Sequence, residues 1–253
     1  MLCYYILFSS TIQTLKTNIS QTPLQEKEKL MNDFKVIEVK RSIFEDNDKD
    51  ATKLRAELKE EGTFLLNLMS SPGAGKTTTL KRTIEALKSE MKIGIMEADI
   101  DSVVDAQAIE QTGVRVIQIH TGGMCHLDAD MTRQGIREFG TQDLDFVVLE
   151  NVGNLVCPAE FDTGSTKNAM ILSVPEGDDK PLKYPLMFQI SDVVLINKCD
   201  TLSVFDDFSK EKVKERILKL NPKAKVFFVS AKTGEGFEPW INWIREQLRE
   251  YRK

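Results

Sequence analysis

Seven short apolar runs recur along the chain, each bounded by polar or glycine-containing segments: FLLNLM at 64–69, KIGIMEAD at 92–99, VRVIQIH at 114–120, DFVVLE at 145–150, AMILSV at 169–174, VVLINK at 193–198 and KVFFVS at 225–230. Runs this continuous fit strands buried on both faces better than strands that alternate between core and solvent. Stretches of about helix length separate most of them, as right-handed crossovers between parallel strands require. The pattern predicts an α/β fold with a mostly parallel seven-stranded sheet in three layers, and ligands beyond the carboxyl ends of the strands. Upstream, DKDATKLRAELKEE at 48–61 is strongly helix-forming and Gly62 is a fitting stop, so an N-terminal helix should lead into the sheet. Residues 9–30 are polar and cannot bury enough surface to fold alone. The expected organisation is a disordered extension over 1–34, a helical lead-in over 35–62 and one α/β domain over 63–253, with Met31 a candidate start.

Composition narrows the function. The chain has 34 Lys+Arg against 39 Asp+Glu, a net charge of −5. That balance argues against a surface built to neutralise nucleic-acid phosphates. No apolar run reaches the roughly 18 residues of a membrane span. The best candidate, LCYYILF at 2–8, lacks a basic region before it and a small-residue cleavage site after it. Neither nucleic acid nor membrane is expected as a partner, and a cytoplasmic protein is. Four cysteines, at 3, 125, 157 and 199, are too few and too scattered for a disulfide scaffold. Two histidines exclude a His-rich storage tract but leave room for one discrete metal site.

The strongest motif follows the first apolar run. Ser70-Ser71-Pro72-Gly73-Ala74-Gly75-Lys76-Thr77 matches Gly-x4-Gly-Lys-Ser/Thr with Ser70 in place of the first glycine, and a helical pattern begins at Thr78. Gly73 and Gly75 let backbone N–H groups close on phosphate oxygens around Ser71, Ala74 and Thr78. The helix N-terminus adds its partial positive charge, and Lys76 reaches the β and γ phosphates. Thr77 is the expected magnesium ligand. Asn197-Lys198-Cys199-Asp200 and Ser230-Ala231-Lys232 close two later strands and resemble the guanine-reading motifs of GTPases. The Asp200 carboxylate can accept from guanine N1–H and its exocyclic amine, donors that adenine does not present together, so GTP is expected over ATP. Acids at strand ends are the other candidates. Glu97 and Asp99 close one strand and Glu150 another; Asp99 and Glu150 rank first for magnesium and for catalysis beside Lys76 and Thr77, and Asp101 and Asp105 read equally well as ordinary carboxylates.

Cys125 and His126 stand side by side, and Cys157-Pro158 follows the DFVVLE strand by a short loop. Both segments leave strand ends, so they can meet on the nucleotide face. Thiolate and imidazole together suit Zn(II) or Ni(II), but three ligands do not complete a tetrahedral structural site. Solvent or a second copy about a two-fold axis would supply the rest. The alternative is buried structural cysteines and a satisfied histidine. His120 and Cys199 read as structural.

Taken in order, the phosphate loop, Cys125-His126-Leu127-Asp128-Ala129, the string ENVGNLVCP at 150–158, Glu176-Gly177-Asp178-Asp179-Lys180 and NKCD at 197–200 closely resemble the HypB family, over roughly residues 35–250. The resemblance implies a P-loop GTPase that helps insert nickel into nickel-iron hydrogenase and dimerises when GTP binds. It implies an interfacial nickel or zinc site at Cys125, His126 and Cys157, and a Lys183 near the dimer interface that reaches the partner's nucleotide. It also implies a second nickel-binding maturation protein and the hydrogenase large subunit as partners. Three departures bear on the carry-over. Residues 1–60 hold one Cys and no His, so the N-terminal metal store of many relatives should be absent. Asp105-Ala106-Gln107-Ala108 stands where relatives commonly read Asp-Ala-Glu-Arg. Cys157-Pro158-Ala159 replaces the Cys-Pro-His of urease-maturation relatives, which favours the hydrogenase branch. No arginine finger or general base is apparent, so slow turnover is expected. The rival readings are a GTP-dependent dimerisation switch with structural cysteines, a urease-type nickel accessory GTPase, and a small-molecule kinase.

Overall fold

The computed structural model describes residues 39–99 and 104–253. The expected extension, with Cys3 and Met31, and also Asp101, lie outside those residues. All seven apolar runs are strands: β1 Phe64–Ser70, β2 Ile93–Asp99, β3 Arg115–His120, β4 Phe146–Glu150, β5 Lys167–Ser173, β6 Val193–Asn197 and β7 Lys225–Phe228. They form one sheet in the order β3-β2-β4-β1-β5-β6-β7, and every neighbouring pair is parallel. The central strands β1, β4 and β6 are buried at every residue. The edge strands β3 and β7 are only partly covered. Continuous apolar runs therefore mark the centre of the sheet, and the polar residues in VRVIQIH and KVFFVS fall where one side meets solvent.

Side chains alternate across β1 and so build both faces of the core. Phe64, Leu66 and Leu68 pack with Leu80 and Ile84 of α2 (Lys76–Leu87) and with Trp240 and Ile244 of the C-terminal helix, Phe237–Tyr251. Leu65 faces the other way, among Leu54 and Leu58 of α1 (Val39–Glu61) and Ile136 of a helix at Ala129–Phe139. Further along the same face, Met170 and Leu172 of β5 meet Met187 and Phe188, with Val213 and Ile217 of the helix Lys210–Leu220. The result is helix, sheet and helix in three layers. Each fully buried side chain of this size contributes roughly 1.5–3 kcal/mol.

The described N-terminal helix, Val39–Glu61, falls within the expected lead-in over 35–62 and extends upstream of its strongly helix-forming stretch, 48–61. The extra turns pass through Asn47, a poor helix former, because its amide is bonded outside the helix: Nδ2 donates to the Asp162 carbonyl at 3.0 Å and Oδ1 accepts from the Ala129 N–H at 2.9 Å. Tertiary partners outweigh local propensity here. The stop is as expected. Gly62 takes φ 77°, and the Thr63 N–H bonds back to the Leu58 carbonyl at 3.0 Å. No helix among the described residues is long and apolar enough to cross a membrane.

Candidate nucleotide and metal sites

The carboxyl edge of the sheet gathers nearly every residue singled out in the sequence. Ser70 ends β1 in extended backbone and needs no glycine conformation, which accounts for its standing where the motif has glycine. Gly73 (φ 74°) and Gly75 (φ 101°) then turn the loop into α2. At Gly75 space matters as well as conformation: a Cβ there would lie 2.5 Å from Asn197 Nδ2. Lys76 Nζ donates to Ser70 Oγ at 3.2 Å. The Ser71 hydroxyl donates to Glu176, whose second oxygen accepts from the N–H and hydroxyl of Ser173, each at 2.7 Å. Glu176 thus ties the phosphate loop to the end of β5. Its signal was legible, since Ser173-x-x-Glu176 is a capping box.

The base-reading segments are bonded to that loop directly. Asn197 bridges them: its Nδ2 donates to the Ala74 carbonyl at 3.0 Å and its Oδ1 accepts from the Ala231 N–H at 2.9 Å. Lys198 is the one non-glycine among the described residues with positive φ, 60°, and its Nζ donates to the Gly73 carbonyl at 2.7 Å. Ser230 Oγ donates to the exposed Asp200 carboxylate at 2.7 Å. Arg82, which no motif marked, donates to the carbonyls of Ala231 at 2.7 Å and Lys232 at 3.0 Å. With Thr78, Lys232 and Phe237 it lines a groove of about 850 Å³ between the phosphate-loop helix and the C-terminal helix.

An acidic cluster lies beside the loop. Glu97 and Glu150 are register partners on β2 and β4, which sets their buried carboxyls side by side. Thr77 Oγ1 donates to Asp105 Oδ1 at 2.9 Å. Oxygens of Glu97, Asp105 and Glu150 lie within 4.8 Å of one another. Burial pushes Glu97 up to about 7 and Glu150 up to about 8; the charges of Asp99 and Asp105 add to both shifts and Lys76 opposes them. One oxygen of each glutamate, Oε2, is buried with no hydrogen-bond partner. A crowd of oxygens with unmet acceptors fits a hard divalent cation such as magnesium. Of the acids singled out in the sequence, Glu150 lies in this trio and Thr77 adjoins it through Asp105; Asp99, ranked first with Glu150, lies outside the trio and acts on it through charge.

The thiol corner is less complete. Cys125 lies in the loop between β3 and the helix Ala129–Phe139, and Cys157 opens a short helix, Cys157–Glu160. The two thiols interact: the neighbouring Cys125 thiol, with burial, holds Cys157 above the usual thiol range. His126 instead lies flat on Phe161, ring centroids 3.9 Å apart and planes 12° apart. Its Nδ1 is buried without a partner, and burial lowers its pKa. Among the described residues the three side chains do not close into one ligand cluster; the thiols meet and the imidazole stands off. Two sulfurs and an orphaned ring nitrogen still form a donor set suited to nickel or zinc. Met124 and Val156, adjacent in sequence to the two cysteines, are 43% and 50% exposed. Lys183 is exposed and paired with Asp179 at 2.6 Å, beside Leu182, which is 63% exposed. Cys199 is structural, its thiol donating to the Ile196 carbonyl at 3.1 Å.

Comparison with known proteins gives the family and fold that this chain shares. Residues 64–228 match the family described as CobW/HypB/UreG, nucleotide-binding domain. The chain is 42% identical to the hydrogenase maturation factor HypB of Rhizobium leguminosarum bv. viciae over 214 residues, 85% of this chain and 71% of that protein. Among solved structures, HypB from Helicobacter pylori in complex with nickel is 40% identical with a TM-score of 0.76, over 82% of this chain and 97% of that one. The hydrogenase maturation factor HypB from Archaeoglobus fulgidus is 39% identical with a TM-score of 0.74, over 80% of this chain and 98% of that one.

Proposed function

The chain belongs to the HypB family of CobW/HypB/UreG nucleotide-binding proteins, and on that premise we propose that it is a GTP-hydrolysing nickel metallochaperone for nickel-iron hydrogenase maturation. One observation carries the reading: the thiols of Cys125 and Cys157 interact at the same sheet edge that carries the phosphate loop and the base-reading segments. A nucleotide-dependent movement at that edge would be felt by both sites. GTP phosphates lie on Gly73 to Thr78, with Lys76 on the β and γ groups, and the base is read by Asn197, Lys198 and Asp200 with Ser230, Ala231 and Lys232 behind it. Magnesium is held by Thr77 and Glu150 with help from Glu97, Asp99 and Asp105, and when bound it neutralises charge developing on the phosphates. Lys76 supplies the fixed positive charge, and Asn197 holds the two loops in one geometry. No motif among the described residues marks a general base, so slow turnover is expected.

In this reading two copies close when GTP is bound. The exposed apolar residues beside the cysteines and around Lys183 form the contact, and Lys183 leaves Asp179 for the partner's nucleotide. Nickel, or zinc in its place, is the cargo at Cys125, His126 and Cys157, and His126 turns from Phe161 to join the thiols. Hydrolysis opens the pair and releases the ion to a second nickel-binding maturation protein or the hydrogenase large subunit. The protein works in the cytoplasm, with residues 63–253 as the GTPase domain behind the helical lead-in. The test is nickel titration of the full chain against Cys125→Ala and Cys157→Ala, with dimerisation measured with and without a GTP analogue. Both substitutions should abolish tight nickel binding, and the analogue should raise the dimer fraction. Unchanged nickel stoichiometry and affinity in both variants would sink the metallochaperone reading.

A further inference from the structure

The buried face of α1 carries a polar residue where packing alone would favour an apolar one. Ala51, Leu54 and Leu58 are at most 1% exposed and mark the stripe this helix buries; Asn47, one turn before Ala51, is 9% exposed. An amide buried without partners costs about 1–3 kcal/mol. Asn47 has two, and they belong to different segments. Its Oδ1 takes the Ala129 N–H, three residues past His126, and its Nδ2 donates to the Asp162 carbonyl, five residues past Cys157. One side chain therefore spans the two loops that carry the thiols.

Neighbouring residues repeat the arrangement. Two turns on, the Arg55 guanidinium grips the Asp162 carboxylate at 2.7 and 2.8 Å and donates to the Ser165 carbonyl at 2.9 Å. Arg133, on the helix that follows Cys125 and His126, returns a bond to the Asp50 carbonyl of α1 at 2.8 Å. One turn before Asn47, the Phe44 ring meets Phe161 at 4.9 Å, and Phe161 is the ring on which His126 lies. Each thiol-bearing segment is fixed to α1 independently, and the resting place of the imidazole is backed by α1 as well.

We propose that α1 is the positioning element of the metal corner: Asn47 and Arg55 set the spacing of the Cys125 and Cys157 segments, and Phe44 backs the ring that holds His126 off the thiols. The proposal rests on the reading of Cys125, His126 and Cys157 as the nickel site. None of the three α1 residues is a ligand; each acts through the segment it holds. Partners bonded directly to metal ligands typically alter metal affinity by about 10–100-fold when removed; these residues act one segment further out, so the low end of that range is expected.

The experiment titrates nickel into the full chain and follows thiolate-to-nickel charge-transfer absorption, for the wild type, Asn47→Ala, Arg55→Gln, Arg55→Lys and Cys125→Ala. Affinity for a fluorescent GDP analogue and thermal melting are measured on the same samples. Asn47→Ala and Arg55→Gln should each weaken nickel binding about tenfold and change the charge-transfer band, with GDP affinity unchanged. Arg55→Lys should recover part of the loss. Arg55→Gln guards against a simple folding failure, since Arg55 and Asp162 are 37% and 38% exposed and such pairs contribute little stability. If Cys125→Ala loses nickel while Asn47→Ala and Arg55→Gln titrate with the wild-type affinity and spectrum, the positioning role is overturned and the site stands. If Cys125→Ala itself titrates like the wild type, the site reading fails and the role falls with it.

Discussion

The two ends of this functional edge are built to different degrees of completion. At the nucleotide end, loops from four places in the chain are bonded directly to one another: Asn197 to residues 74 and 231, Lys198 to 73, Arg82 to 231 and 232, Ser71 to Glu176. At the thiol corner two cysteines meet, the histidine lies on an aromatic ring, and exposed Met124 and Val156 flank the pair. A preorganised site binds without first ordering its own parts. A part-built one must spend some of its binding energy on rearrangement. The contrast puts the larger rearrangement on metal binding; any coupling between the two ends is reciprocal, each ligand altering the other's affinity by the same factor.

The largest effect that would test this contrast is at Lys76. Its ammonium is the fixed cation between the phosphate loop and the buried acids, bonded to Ser70 and opposing the upward shift of Glu150. Lys76→Ala should lower GTP hydrolysis by ~100-fold or more, as removal of one transition-state donor commonly does. Nickel titration of the same variant in the absence of nucleotide should be unchanged. A matching loss of nickel affinity would mean that the two ends are one site, and the contrast would collapse.

A smaller effect is expected at Asp200. Its carboxylate is exposed, oriented by Ser230, and free of any structural bond to the phosphate loop in the described contacts. Asp200→Asn exchanges an acceptor for a donor facing guanine, and charge-assisted hydrogen bonds are worth ~1.5–3 kcal/mol. GTP affinity should fall roughly 10–100-fold, with gain of affinity for xanthosine triphosphate, whose base presents an acceptor there. Equal GTP affinity in the variant would show that the base is read elsewhere.

The same contrast governs how far the sequence could be read. Phosphate loop, NKCD and SAK are contiguous strings whose chemistry depends on backbone turns and strand ends, so local residues nearly suffice. The apolar runs likewise mark all seven strands: the central ones are buried on both faces and leave no alternation to misread, and the partly covered edge strands β3 and β7 still carry β-branched and aromatic residues that favour strands. Asp105, which reads evenly as a site acid or an ordinary loop carboxylate, is bonded to Thr77 from 28 residues away, a distance no local pattern encodes. Glu97 joins Glu150 through strand register, which needs the order β2-β4 that only the folded sheet supplies. Asn47, Arg55 and Arg82 carry no motif at all. Their partners lie more than 80 residues away, and an arginine or asparagine on a helix reads as surface until its partner is known.

The smallest effect, and the one that separates the ends by charge, is the pH dependence of ion-free stability. Glu97 and Glu150 sit at about 7 and about 8 against an ordinary 4.5, chiefly because burial disfavours their charge. Asp99 and Asp105 face them with the same sign, and Lys76 opposes. Between the ordinary and the raised values the folded chain holds protons that the unfolded chain has released, so stability falls as pH rises through this window. Melting of the ion-free protein should drop by a few degrees between about pH 5.5 and 8. Magnesium should reverse most of that drop, since it favours the ionised carboxylates. Glu150→Gln removes the larger contributor and should flatten the slope, whereas Cys157→Ala should leave it as it was. A slope unchanged in Glu150→Gln would place its origin outside the acid cluster; a slope changed in Cys157→Ala would tie the thiol corner to the same protons and erase the distinction between the ends.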